Sequence, residues 1–212
     1  MTRRALDIIA VVALLALLAP LMLLIALAVR VTMGSPVIFR QPRSGHNGRI
    51  FVIAKFRTMR APRHPDETDA ERISPLGSLL RTTSLDELPQ LWNVLKGDMG
   101  IIGPRPTLPE QVAHYSPRQR RRLEIRPGMT GYAQVKGRNS LSWPERIELD
   151  IYYIDHCSIG LNFWILSRTV ARLVYPEGIT GENGANPDFP LDGSRQLTTA
   201  DTGTKDALKN PS

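Results

Sequence analysis

Apolar and polar positions divide this chain into one long lipid-like run and a series of short, mixed segments. Between Asp7 and Arg30 no charged residue occurs. As a helix, that run would reach roughly 33 Å at 1.5 Å per residue, enough to enter or cross a bilayer. Pro20 lies in its middle and removes the bond to the Ala16 carbonyl, so a kink is expected there. Basic residues flank both ends (Arg3 and Arg4 before, Arg30, Arg40 and Arg43 after) and give no orientation. Two readings stand side by side: a kinked span, and a helix that bends at Pro20 and returns to the face it entered. A cleavable signal peptide, suggested by Ala26-Leu27-Ala28, is disfavoured because the apolar run is longer than such signals use.

The pattern then shortens. Residues 37–40 read as a strand, Asn47-Gly48 as a hairpin turn, and residues 49–57 as its partner strand. Alternation along the second strand puts Lys55 and Arg57 on one face, where two cations could meet a phosphate. Residues 61–72, charged and containing two prolines, are expected to be a mobile loop, and residues 75–81 a short helix. The central stretch, residues 84–98, reads as one helix with Ser84 or Asp86 as its cap and Gly97 as its stop. It carries Asp86 and Glu87 in its first turn and buries Leu88, Leu91, Trp92 and Leu95. Arg105 follows between two prolines on a stiff backbone. Residues 132–135 read as a short strand. Trp143 opens a helix that places Arg146, Asp150 and Tyr153 within reach of each other, and residues 161–175 form an amphipathic helix. From Gly178 onward the composition suits a disordered polar tail. The fold class is therefore α+β and mainly helical. Residues 1–33 are a membrane anchor, adopted as re-entrant and Pro-kinked, 34–177 a small catalytic domain, and 178–212 a tail.

Charge sharpens this picture without deciding it. The 212 residues carry a formal net charge of +7, which suits a negatively charged partner. Arg118, Arg120, Arg121, Arg122 and Arg126 crowd one segment with Glu124. Without interleaved aromatics or a nucleic-acid motif, and with an apolar anchor nearby, lipid headgroups are its expected partner rather than nucleic acid. The single cysteine, Cys157, excludes an internal disulfide and a cysteine zinc cluster. A membrane-anchored basic adaptor explains the charge but not the Asp-Glu pair or the Pro-Arg-Pro turn.

Several motifs recur in order: Gly34-Ser35-Pro36-Val37, Lys55-Phe56-Arg57-Thr58-Met59, Leu80 to Val94 containing Leu85-Asp86-Glu87-Leu88-Pro89, and Gly97-Asp98-Met99. Gly103-Pro104-Arg105-Pro106, Arg126-Pro127-Gly128-Met129-Thr130-Gly131, Gly137-Arg138-Asn139 and Asp150-Ile151-Tyr152-Tyr153 continue the set. Together they resemble the bacterial sugar transferase family, the small monotopic phosphoglycosyl transferases acting on polyprenyl phosphate. The resemblance implies transfer of a sugar phosphate from a nucleoside diphosphate sugar, usually a UDP-sugar, to undecaprenyl phosphate, with release of UMP. It implies a ping-pong route with Asp86 as nucleophile and Mg²⁺ near Glu87. It further implies Arg105 on the nucleotide, Lys55, Arg57, Arg81 and Arg138 on phosphate, and Asp150 supporting substrate or metal. A cytoplasmic face of the bacterial inner membrane, contact with membrane lipids, and self-association or contact with downstream glycosyltransferases accompany that role. The chain departs from the family at Ala19-Pro20, where Ser-Pro is typical, at Gly100 for Ser, and at Lys136 for Asn.

Overall fold

The computed structural model describes residues 2–137 and 140–174. The apolar run becomes α1 (Thr2–Met33), which continues unbroken through Pro20. Its 32 residues reach roughly 48 Å at helical rise. One seam of this helix packs on the rest of the chain. Val11 and Leu15 meet Phe51, Ile53, Leu91 and Val94, while Ile25, Val29 and Met33 meet Phe56, Leu80 and Leu88. The remaining surface stays apolar and open, with Leu17, Leu23 and Val31 each more than 70 % exposed, as expected of a surface that lipid covers.

Both ends of α1 are fastened to the same folded unit. Arg4 donates to the Val94 and Leu95 carbonyls at 2.6 and 2.9 Å. At the other end, Arg57 donates to the carbonyls of Met33 and Ser35, at 2.5 and 2.8 Å. Helix α1 thus runs along one folded unit and is held to it near both of its ends.

Next come the antiparallel strands β1 (Ile38–Ser44) and β2 (Ile50–Phe56), running from Ile38 opposite Phe56 to Ser44 opposite Ile50. The predicted first strand thus continues through Pro42. Pro42 faces Val52, whose carbonyl turns outward to the Asn93 amide at 2.7 Å, so this pair exchanges no ladder bonds and the missing N–H costs nothing. The Ala54 N–H donates to Asn93 Oδ1 at 3.2 Å. The Asn93 carboxamide therefore occupies the place of a neighbouring parallel strand residue along the free edge of β2, fixing the strand against the helix that carries Asn93.

The segment expected to be a loop contains α2 (Asp69–Arg72), with Arg60 paired to Glu67. Ser74 caps α3 (Pro75–Thr82) by accepting from the Gly77 N–H. A Cβ at Gly77 would fall 1.9 Å from the Thr58 carbonyl oxygen, so α3 rests directly on that backbone. Gly77→Ala is expected to lower unfolding stability by about 1–3 kcal/mol, measured by chemical denaturation of the solubilised protein.

The predicted helix over 84–98 divides in two: a 3₁₀ turn, Leu85–Glu87, and then α4 (Gln90–Lys96). Ser84 adopts a left-handed φ of 58° and its side chain caps nothing, so neither proposed cap forms and the acids precede the helix rather than opening it. Gly97 does end α4, at φ 93°. Leu91 is buried, but Trp92 is 58 % exposed, contrary to its predicted place in the core, because α4 buries the face of Gln90, Leu91, Asn93 and Val94 instead.

Strands β3 (Gly100–Ile102) and β4 (Gly128–Thr130) pair in parallel, with α5 (Pro109–Ala113) and α6 (Pro117–Arg120) between them. Residues 132–135, expected as a strand, lie in the helix α7 (Tyr132–Lys136). Core packing of Tyr132, Ala133 and Val135 against Leu149, Tyr153 and Ile165 overrides their β-propensity. Helix α8 (Trp143–His156) begins at the Ser142 capping box with Glu145, and α9 (Ile159–Val174) follows with Phe163 and Val170 exposed. Within the arginine cluster Arg118 pairs with Glu148, Arg121 with Asp155 and Arg122 with Asp150. The predicted tail lies outside the described residues.

Candidate active site

The left-handed turn at Ser84 brings the Leu85–Glu87 turn against β2, and Asn93 holds that strand in register. Lys55, one residue past the Asn93 contact, thereby meets both acids. Its Nζ lies 2.6 Å from Glu87 Oε1 and 3.8 Å from Asp86 Oδ2. Arg105, held by the flanking prolines, donates from Nη2 to the same Glu87 oxygen at 2.8 Å. The two carboxylates are therefore unlike. Asp86 is 8 % exposed; burial pushes its carboxyl up to about 6, Lys55 opposing the shift and Glu87 adding to it. Burial acts on Glu87 in the same sense, but Arg105 and Lys55 together hold it below the usual carboxylate range. One acid is a buried carboxylate lacking a short ion pair; the other is a fixed anion clamped by two cations.

These groups line a cleft of about 1240 Å³. Leu14 and Leu18 of α1 and Phe39 of β1 contribute apolar wall, whereas Arg105, Arg146 and Gln111 contribute polar wall. Arg81 lies in it and donates Nε to Thr58 Oγ1 at 2.9 Å. Arg57 also lines it, yet its guanidinium is spent on carbonyls, including that of Met59 at 2.9 Å. Lys55 thus meets the two acids, while Arg57 ties down the end of α1. Asp150 is almost fully buried against Arg122, at 2.7 Å, and Arg122 also donates to the Tyr115 hydroxyl and to the Arg105 carbonyl. Asp150 therefore braces the backbone of Arg105. Arg138 lies outside the described residues. Arg43 and Arg146 also line the cleft; neither was singled out as a site residue, because nothing in a lone strand or helix arginine reveals where it points.

Among the described residues no group of three or more His, Cys, Asp or Glu side chains gathers to hold a metal. Mg²⁺ is commonly held by one or two carboxylates completed by substrate phosphates. Both cations on Glu87 bond Oε1, so Oε2 is the oxygen they leave to such an ion. The adjacent Asp86–Glu87 pair suits that donor set.

Comparison with known proteins identifies the family. The family model described as bacterial sugar transferase matches residues 1–176. The chain is 43 % identical over 187 residues to the uncharacterized sugar transferase EpsL of Bacillus subtilis, covering 85 % of this chain and 91 % of the relative. It is 42 % identical over 187 residues to the UDP-glucose:undecaprenyl-phosphate glucose-1-phosphate transferase of Caulobacter vibrioides, covering 82 % and 70 %. To the exopolysaccharide production protein ExoY of Rhizobium meliloti it is 33 % identical over 198 residues, covering 84 % and 88 %. The chain belongs to the bacterial sugar transferase family and is an enzyme of its phosphoglycosyl transferase class.

Proposed function

We propose that the protein transfers a sugar 1-phosphate from a UDP-sugar to undecaprenyl phosphate, releasing UMP, as the first membrane step of glycoconjugate assembly. The observation that carries this reading is the pair of unlike carboxylates in a cleft that reaches the apolar wall of α1. An Asp86 oxygen attacks the sugar-proximal phosphorus, and the bond to the UMP oxygen breaks. The resulting phosphosugar–Asp86 linkage is then attacked by the lipid phosphate oxygen, which restores the carboxylate. A pKa near 6 leaves Asp86 ionised at neutral pH while burial keeps it poorly solvated and reactive. Lys55 and Arg105 offset the charge of Glu87, so that an anionic donor can approach. Glu87, with Asp86 beside it, would hold Mg²⁺, which when bound supplies charge neutralisation for the phosphates. Both ends of α1 rest on one folded unit, which favours a helix that enters and leaves by the cytoplasmic face, where nucleotide sugars are found.

The name of the Caulobacter relative makes UDP-glucose the first donor to try. Full-length protein in lipid, given undecaprenyl phosphate and Mg²⁺, is expected to release UMP from at least one member of a panel of UDP-sugars. No UMP from any of them would overturn the proposal.

A further inference from the structure

The cleft holds more guanidinium charge than its carboxylates balance. Glu87 is taken by Lys55 and Arg105, and Asp150 by Arg122. Arg43, on β1, reaches only neutral partners: the Gln41 amide oxygen at 2.6 Å and, weakly, the Pro106 carbonyl at 3.4 Å. Its Nε is buried without a partner. Arg146, on α8, donates Nε to the Leu141 carbonyl at 2.9 Å and lies over the Trp143 ring, while its Nη2 is buried without a partner. Neither forms an ion pair among the described residues. Burial lowers Arg43 to about 10, Arg105 adding to the shift and the more weakly acting Glu87 and Glu110 opposing it. Burial and the fields of Arg105 and Arg122 lower Arg146 too, against the weaker pull of Asp150.

Repelling, desolvated guanidiniums with open donors are costly unless an anion joins them. We infer that Arg43 and Arg146, together with Arg105, form a wall that takes the phosphate leaving with the nucleoside. This rests on the reaction proposed above. The nucleotide is favoured over the lipid phosphate by position. The apolar helix α1 packs on α4, β2 and β3, whereas α8 packs on α7 and the 3₁₀ turn Arg121–Leu123, so Arg146 approaches the cleft from elements other than those that seat α1.

The test uses full-length protein with Arg43→Gln, Arg146→Gln and the two Lys variants, UMP and inorganic pyrophosphate being titrated by calorimetry. Each Gln variant is expected to weaken both ligands about tenfold and to raise the donor KM by a similar factor. Lys should restore part of the loss. The acceptor KM should hold, and Tm should hold or rise, since an uncompensated buried charge has been removed. A raised acceptor KM with unchanged UMP affinity would overturn the inference in favour of the lipid phosphate. A lowered Tm with unchanged UMP affinity would overturn it in favour of a structural role. Anion binding that the Gln variants weaken, in a wild type that turns over no UDP-sugar, would leave the wall standing and reject the reaction instead.

Discussion

Asp86→Asn is expected to reduce UMP release by more than about 10³-fold and, at neutral pH, to make the protein more stable. The first effect follows from removing the attacking oxygen while keeping the shape of the side chain. The second follows from linkage. The folded state holds the Asp86 carboxyl at about 6, above its ordinary value of 3.8, so folding favours the protonated form. That contribution is fully present below pH 4, declines as pH rises, and is lost above pH 6. At pH 7.5 the wild type therefore carries the cost of a buried ion that Asn does not, on the order of 1–3 kcal/mol. Thermal unfolding of both proteins in detergent with a chelator should show the variant melting higher at pH 7.5 and the two converging near pH 4. Retained turnover would sink the nucleophile assignment. A variant that melts lower at pH 7.5 would show that Lys55, rather than burial, dominates the carboxylate.

Much of this site was legible because it is written in short local signals. The Asp86–Glu87 pair, Lys55 on its strand and Arg105 between prolines all come together, and α1, α3, α8 and α9 lie close to where their patterns put them. What could not be read are matters of tertiary choice. The break in the central stretch falls at Leu88 and Pro89, between the 3₁₀ turn and α4, and no propensity distinguishes the left-handed Ser84 before it from a cap. Residues 132–135 have strand-like composition, yet the core on either side takes them as a helix. The arginines of residues 118–126 looked like a free basic patch because their partners, Glu148, Asp150 and Asp155, lie about 30 residues away along α8. Arg57 sits in a motif with Lys55, but only the placement of the Met33 carbonyl reveals that it serves the anchor.

The other large effect concerns the pair behind the site. Arg122 and Asp150 have side chains only 4 % and 3 % exposed, so each is the other's only ion-pair partner among the described residues. Arg122→Met leaves a buried carboxylate alone and is expected to cost about 3–5 kcal/mol, more than the pair itself contributes over an apolar substitute. Burial already raises the Asp150 pKa against the pull of Arg122. Once that pull is gone, the acid can escape the penalty by taking a proton. The loss should therefore be larger at pH 8 than at pH 5.5, and Arg122→Met combined with Asp150→Leu should recover most of it at both. Denaturation of the four proteins at the two pH values completes the cycle. Equal losses at both would mean that Asp150 stays charged without its partner, held so by water or by the nearby Arg146.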